Sequence, residues 1–265
     1  MPANQAPPKE VTRDEVVAQL RALGVRRGGV LLVHTSFRAV RPIEGGPKGL
    51  IDALRSALGP EGTLVTPAWT GSDEEPFDPA TTPASPDLGV VPDTFWRLPG
   101  VLRSNHPFAF AAAGPEAERI TSGPLPLPPH TPESPVGKVY DLDGQVLLLG
   151  VNHDADTTLH LAELLAGVPY REPRHITVLQ EGRPVRIHYG ENDHCCQGFN
   201  LADGWLHERG LQAEGLVGHA PARLFRARDV VAVAREHLAR DLLVFLHPPS
   251  AGCEDCDAAR SSVSR

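Results

Sequence analysis

Apolar positions near the start of the chain follow two alternating patterns. The segment 12–24 opens with a capping box, carries valines and leucines at the spacing of one helix face, and ends at a glycine. The run 30–33 is short, continuous and apolar, as in a strand that is covered on both faces. The same pair returns as a helix pattern over 50–58 and a strand pattern over 63–66. The pattern therefore predicts helices packed against a buried sheet.

Strand and helix patterns continue to alternate along the rest of the chain. Further strands are predicted at 108–113, 146–150, 175–179, 185–189 and 242–246, and further helices at 93–98, 157–166, 200–209 and 229–239. This mixture predicts an α/β fold with helices flanking a central mixed sheet. Two stretches rich in Pro, Gly and small polar residues, 70–92 and 122–135, are predicted to be long functional loops. We expect a single domain over 1–265, with a cysteine-containing tail over about 247–265.

Composition excludes several classes of protein. The 25 basic and 33 acidic residues give a net charge of −8, which is the wrong sign for a protein that binds nucleic-acid phosphates. A cationic ligand fits this charge better. No run approaches the roughly 20 apolar residues of a membrane span, and the N-terminus lacks the pattern of a secretory signal. We therefore expect a soluble cytoplasmic protein that contacts neither nucleic acid nor membrane.

The densest polar cluster follows the most apolar strand pattern. It contains His160 and Glu163, which share one face of the predicted helix at a spacing of three residues. An imidazole paired with a carboxylate makes a general base that titrates near neutral pH. Two alternatives stay open at this point. His160 can instead satisfy a buried hydrogen bond, or it can ligate a catalytic metal together with His153, Asp154 and Asp156.

The four cysteines form two close pairs: Cys195 with Cys196, and Cys253 with Cys256. The second pair is a CxxC motif, which offers two thiolates from one turn, so the four together predict a structural zinc site without a catalytic role. Adjacent cysteines are awkward joint ligands in a strand, so His194 or His247 can replace one of them. The alternative is four reduced, partly buried thiols.

Two acidic clusters lie in predicted loops. Asp73 and Glu74 belong to the first cluster, and Glu191 and Asp193 to the second. Clusters of this kind are usually solvated surface. They would hold a polycationic substrate if they face His160, so we treat all four as candidate substrate ligands.

Five motifs occur in a fixed order along the chain: Leu32-Val-His-Thr-Ser-Phe-Arg38, Gly62-Thr-Leu-Val-Thr-Pro67, Arg103-Ser-Asn-His-Pro107, Ser134-Pro135 and Thr157-Thr-Leu-His-Leu-Ala-Glu163. Together they resemble the aminoglycoside 3-N-acetyltransferase family, from the first helix to about residue 239. The segment 191–196 and the C-terminal cysteines are most similar to its type IV enzymes, which act on apramycin and gentamicin. The resemblance implies resistance through acetyl transfer from acetyl-coenzyme A to the 3-amine of 2-deoxystreptamine. It also implies an antibiotic N-acetyltransferase fold distinct from GNAT enzymes.

The resemblance further implies roles for individual residues. His160 is the implied base, and Glu163 is the carboxylate that orients it. Seven residues fall where the family contacts coenzyme A: Thr35, Ser36, Phe37, Arg103, Ser104, His106 and Ser134. We expect direct transfer in a ternary complex, in a monomer or homodimer. The alternatives are acetylation of a metabolic amine, a metal-dependent hydrolase, and a noncatalytic binding module stabilised by zinc.

Overall fold

The computed structural model describes residues 8–263. The outermost parts of the expected domain, 1–7 and 264–265, lie outside the described residues. Within 8–263 the helices are α1 (Arg13–Leu23), α2 (Phe37–Val40), α3 (Gly46–Leu58), α4 (Val90–Trp96), α5 (Ala117–Thr121), α6 (Pro135–Asp141), α7 (Thr158–Ala166), α8 (Leu201–Glu208), α9 (Ala227–Leu238) and α10 (Glu254–Ser262). The strands are β1 (Val30–Thr35), β2 (Thr63–Pro67), β3 (Leu102–Arg103), β4 (Phe110–Ala113), β5 (Gln145–Leu149), β6 (Glu172–Gln180), β7 (Arg183–Glu191), β8 (Gln212–Val217) and β9 (Ala220–Arg226). No helix in this described part of the chain is long and apolar enough to cross a membrane.

A seven-stranded mixed sheet forms the centre of the fold, in the order β3-β4-β2-β1-β5-β9-β8. The neighbouring strands β2, β1 and β5 are parallel, while β4 pairs antiparallel with β2 and β9 antiparallel with β5. Strands β6 and β7 form a separate antiparallel hairpin. The predicted α/β fold with a central mixed sheet is confirmed.

The sheet is covered by helices on both faces. Along β1, Val30 and Leu32 lie in one core, whereas Leu31 and Val33 lie in the other. Helices α6, α7 and α9 contribute to the first core, and α1, α3 and α4 to the second. Because both faces are buried, the strand has no polar positions to alternate with, which explains its continuous apolar run.

The parallel strands bring polar loops to one edge of the sheet. Since β1, β2 and β5 share one direction, the residues that follow their carboxyl ends lie side by side. Gly150 makes the turn after β5 at a φ of 70°, and a Cβ at this position would lie 2.7 Å from the Cβ of Ala39. The polar cluster that contains His160 begins at this turn.

The predicted strand over 242–246 is wrong. These residues form turns, and Phe245 is buried edge-on against Phe199 with ring centroids 4.9 Å apart. The apolar run over 242–246 therefore reflects burial of Phe245 against other aromatic rings and not strand pairing. The predicted loop over 70–92 is irregular for most of its length, apart from a 3₁₀ turn at Pro86–Leu88 and the start of α4.

The sequence patterns also missed the hairpin of β8 and β9 and the helix α10. Most of β8 is exposed, and its sequence Gln-Ala-Glu-Gly-Leu-Val has no run of apolar residues. Helix α10 is short and buries only Cys256 and Ala259. Both elements are fixed by contacts with the rest of the fold, which local patterns do not report.

Candidate active site

A cavity of about 350 Å³ opens at the carboxyl edge of the parallel strands. Loops after all three central strands line it, because their ends lie side by side. Its lining residues include His34, Trp69, Asp87, Phe108, His130, Asp154, Asp156, Thr157, His160, Asp193 and Cys196. A larger cavity of about 580 Å³, lined by Arg27 and Arg55 among others, contains none of the predicted site residues. The predicted chemistry therefore gathers at the smaller cavity.

His160 and Glu163 form the predicted pair. Helix α7 places them on one face, and His160 Nδ1 lies 3.1 Å from Glu163 Oε2. Because Nδ1 is held by the carboxylate, Nε2 is the ring nitrogen left for proton transfer. The His160 side chain keeps 14% of its surface exposed, while Glu163 is fully buried. The pair thus combines an accessible imidazole with an inaccessible carboxylate.

Three more side chains donate to the Glu163 carboxylate. Asn192 Nδ2 lies 2.9 Å from Oε2, His194 Nε2 lies 2.8 Å from Oε1, and the Tyr170 hydroxyl also donates to Oε1. Burial disfavours the ionised carboxyl, but the hydrogen bonds from His160 and His194 outweigh it and lower the pKa of Glu163 to about 2. The carboxylate is therefore a fixed negative charge behind the base.

Cys196 lies on the other side of the same imidazole. Its Sγ is 3.4 Å from His160 Nε2. Burial alone would lower the pKa of His160, but attraction to Cys196 and to Glu163 raises this pKa well above its usual value of 6.5. The environment therefore makes His160 a stronger base than a free histidine, and activity that needs its neutral form will rise with pH.

His130 stacks on His160 and was not predicted from the sequence. The two ring centroids are 4.9 Å apart with an interplanar angle of 22°. Burial, with a smaller repulsion from His160, lowers the pKa of His130 well below 6.5, so this ring is neutral beside the base. Its Nδ1 lies 3.9 Å from Glu191 Oε1. Burial and the neighbouring Asp193 raise the pKa of Glu191 to about 7.

The structure separates the four predicted acidic ligands. Asp193 lines the cavity, and Glu191 lies behind His130. Glu74 instead pairs with His175 (2.8 Å) and Arg186 on the β6–β7 hairpin, and the Asp73 carbonyl accepts from Thr177 Oγ1 (2.8 Å) on the same hairpin. Asp73 and Glu74 therefore fasten the 70–92 loop to the hairpin, and the cavity takes Asp87, Asp154 and Asp156 as its other acids.

A second cavity of about 400 Å³ adjoins the first. Thr35, Asp87, Leu88 and Val151 line both. Ser36 and Phe37 line the second cavity together with Arg38 and Arg41. Three of the predicted coenzyme A residues thus lie together, at the carboxyl end of β1 and the start of α2.

The other four predicted coenzyme A residues shape the local structure and do not line these two cavities. The guanidinium of Arg103 donates to the carbonyls of Ala68 and Thr82 and stacks on Phe77 and Trp96. Ser104 Oγ accepts from Phe110 N (3.0 Å), His106 Nδ1 from Phe108 N (2.8 Å), and Ser134 Oγ from Gly137 N (3.2 Å). The side chains of Ser104, His106 and Ser134 are buried in turns.

The expected metal ligands of the hydrolase alternative do not converge with His160. His153 is buried, stacks on Phe225 with centroids 5.0 Å apart, and bonds Gln212 Oε1 through Nε2 (2.9 Å). Asp156 Oδ1 accepts from Thr158 N (3.0 Å) at the start of α7. These two residues shape the loop after β5.

The predicted four-cysteine zinc site is also altered by the structure. Cys195, Cys253 and Cys256 come together with His247, and their ligand atoms all lie within 4.8 Å of one another. Cys196 is directed to His160 instead. Adjacent side chains point to opposite faces of an extended chain, and the two cysteines also diverge here, where Cys196 has a φ of 60°. His247 takes the place of Cys196 in this group, in agreement with one of the two replacements that the sequence allows.

Sequence reasoning missed several residues of the site: His130, Asn192, His194 as a ligand of Glu163, and Tyr170. They reach His160 or Glu163 from separate parts of the chain. The only local signal is the density of polar residues over 191–196, which marked a loop without saying what it faces.

Comparisons with known proteins agree with the motifs. A family model described as aminoglycoside 3-N-acetyltransferase matches residues 32–239. The chain is 68% identical over 243 residues to aminoglycoside N(3)-acetyltransferase IV of Salmonella sp, which covers 92% of this chain and 93% of that protein. The chain belongs to the aminoglycoside 3-N-acetyltransferase family. The predicted family and enzyme class are confirmed, and the alternatives of a metabolic-amine acetyltransferase, a hydrolase and a binding module are not favoured.

Solved structures extend the comparison to this acetyltransferase fold. A histidine-to-alanine mutant of AAC(3)-IVa in complex with a gentamicin matches with a TM-score of 0.96 and 68% identity, over 97% of this chain and 100% of that one. The complex of that mutant enzyme with apramycin matches at 0.89 and 64%, over 95% and 100%. AAC-IIIb with CoASH matches at 0.80 and 30%, over 88% and 97%. The expected non-GNAT fold is confirmed.

Proposed function

We propose that this acetyltransferase transfers an acetyl group from acetyl-coenzyme A to the 3-amine of the 2-deoxystreptamine ring of aminoglycosides, including apramycin and gentamicin. The observation that carries the proposal is the His160–Glu163 pair, 3.1 Å apart at the wall of an acidic cavity. The ligands bound by the related structures support it. Acetylation removes a positive charge from the drug, which weakens its attraction to RNA phosphates and so confers resistance.

In the proposed reaction His160 acts as the general base. An aminoglycoside amine is protonated at neutral pH, so His160 Nε2 takes the proton that frees the nitrogen lone pair. The amine then attacks the thioester carbonyl, the C–N bond forms and the C–S bond breaks. The coenzyme A thiolate takes the second proton of the nitrogen and leaves as the thiol, and His160 releases its own proton to solvent.

Direct transfer requires both substrates to meet at His160. We propose that the drug enters the first cavity, where Asp154, Asp156 and Asp193 attract its ammonium groups. Acetyl-coenzyme A occupies the adjoining cavity along Ser36 and Phe37. There Arg38 and Arg41, both exposed, offer guanidinium groups to its phosphates. Thr35 lines both cavities, so in this proposal the two substrates meet beside it.

Replacing His160 by alanine tests this mechanism. General acid–base catalysis contributes about 10²–10⁴-fold, so we expect the rate of coenzyme A release with apramycin to fall by about that factor in His160→Ala. Drug binding, measured by calorimetry, should stay within a few-fold because the acidic residues remain. His207→Ala is a matched control, since His207 is exposed and pairs with Glu214 (2.9 Å). A near-wild-type rate in His160→Ala would reject the mechanism.

We also propose a cytoplasmic monomer or homodimer as the working form, with neither nucleic acid nor membrane as a partner. The four free cysteines fit a reducing compartment. A structural zinc ion is part of the proposal, and it takes no part in the transfer, because protein side chains would fill all four of its coordination positions.

A further inference from the structure

Three thiols and one imidazole converge where the C-terminal segment meets the loop after β7. Cys195 Sγ lies 3.5 Å from Cys256 Sγ and 3.7 Å from His247 Nδ1, and Cys253 completes the group. A tetrahedral zinc with bonds of about 2.3 Å to sulfur separates its ligand atoms by roughly 3.8 Å. The observed separations are close to the edges of such a tetrahedron, and they far exceed the length of a disulfide bond of about 2 Å.

The surroundings of the group suit a closed metal site. Cys253 precedes α10 and Cys256 lies in its first turn, as expected for a CxxC that presents two sulfurs from one turn. The His247 backbone N–H lies 3.4 Å from Cys256 Sγ, and the guanidinium of Arg260 donates to the carbonyls of Leu246 and His247. These contacts fix the histidine backbone in place, with Nδ1 directed at the sulfurs.

The position of Cys195 in the chain connects these four donors to the active site. Cys195 lies between His194, which donates to Glu163, and Cys196, which contacts His160. The other three donors belong to the last part of the chain, whose helix α10 packs on β6. A bond at Cys195 would therefore join the C-terminal helix to the segment that holds the base.

We propose that Cys195, His247, Cys253 and Cys256 bind one structural Zn²⁺ ion, which fastens α10 to the segment 194–196 behind the active site. Binding forms three Zn–S bonds and one Zn–N bond, and the three thiols release their protons to solvent. Cys196 is outside the ligand set. All four positions are filled by protein atoms, so the ion has a positioning role and contacts no substrate.

Metal content is the direct test. Protein purified without chelator should contain about one zinc per chain by elemental analysis, as one tetrahedral site requires. Cys253→Ser should lose most of this zinc, whereas Cys196→Ser, the matched change in the adjacent cysteine, should keep it. Zinc that stays in Cys253→Ser, or that leaves with Cys196→Ser, would overturn the assignment.

Wild-type protein provides a second test in case a cysteine variant does not fold. Removing zinc with a chelator should lower the thermal midpoint, and adding Zn²⁺ back should restore it. Titration of the thiols after chelation should then give four per chain, the number in the sequence. A zinc-free purified protein that binds no added Zn²⁺, or a count of two thiols that reveals a disulfide, would refute the site.

Discussion

Replacing Glu163 by glutamine removes a fully buried charge while keeping the size of the side chain. Four side chains donate to this carboxylate: His160, Tyr170, Asn192 and His194. The pKa of the carboxyl falls from 4.5 to about 2 in the folded protein. At about 1.4 kcal/mol per pKa unit, this difference corresponds to roughly 3 kcal/mol of stability near neutral pH. We expect Glu163→Gln to lose a free energy of unfolding of this order.

The sign of the pH dependence makes the prediction specific. A carboxyl whose pKa is lowered by folding stabilises the protein fully at pH values above its unfolded pKa of 4.5. This stabilisation is lost as the pH falls through the folded pKa of about 2. The gap in unfolding free energy between wild type and Glu163→Gln should therefore shrink by about half between pH 7 and pH 3. Urea unfolding at both pH values measures it. A gap of equal size at both would show that packing, and not charge, accounts for the loss.

Activity gives an independent readout of the same change. Without the carboxylate, the imidazolium of His160 loses a negatively charged partner, and one amide oxygen is left to accept from the four donors. We expect kcat for acetyl transfer to apramycin to fall by about 10²-fold or more, and the acid limb of kcat/KM to move to lower pH. Glu236→Gln, an exposed control that pairs with Arg209, should change neither property. Wild-type kcat with an unmoved acid limb in Glu163→Gln would refute the role assigned to the pair.

Two further changes test the surroundings of the base. Cys196→Ser removes the sulfur that raises the pKa of His160, so the acid limb of kcat/KM should move to lower pH; an unmoved limb would contradict the contact. Asp193→Asn should raise KM for apramycin about tenfold, as expected for the loss of one charge-assisted contact, whereas Asp73→Asn on the hairpin loop should leave KM unchanged. Equal changes in KM for Asp193→Asn and Asp73→Asn, measured by coenzyme A release, would show that Asp193 does not contact an ammonium group of the drug.

The strands of the sheet could be predicted where burial on both faces produces a continuous run of apolar residues. Strands β1, β2 and β5 are covered on both faces, so each is a continuous apolar run. Strand β8 is mostly exposed at the sheet edge, and its residues form no continuous apolar run. The run 242–246 shows the converse error, because Phe245 is buried by packing on aromatic rings without pairing to any strand in the described residues. The hydrophobic pattern indicates that a residue is buried. Which element it packs against depends on the tertiary structure.

The contact between His160 and Glu163 could be predicted because the two residues are close in sequence. His160 and Glu163 are three positions apart on one helix, so a local rule is enough to place them together. His130 reaches the same imidazole from a loop thirty residues away, and its place there depends on the path of the 122–135 loop. No spacing rule connects such residues, since the fold alone brings them within contact.

Adjacent cysteines show that composition alone cannot assign four thiols to one site. An extended backbone through 195 and 196 would direct the two side chains to opposite faces, and a four-sulfur site would need both on the same side. The chain is not extended at Cys196, whose φ of 60° is uncommon for a residue with a Cβ, but the two side chains diverge here too. Cys195 then joins the C-terminal group, and Cys196 joins the base. The four thiols are therefore divided between the proposed zinc site and the surroundings of His160, and His247 supplies the fourth donor of the proposed site.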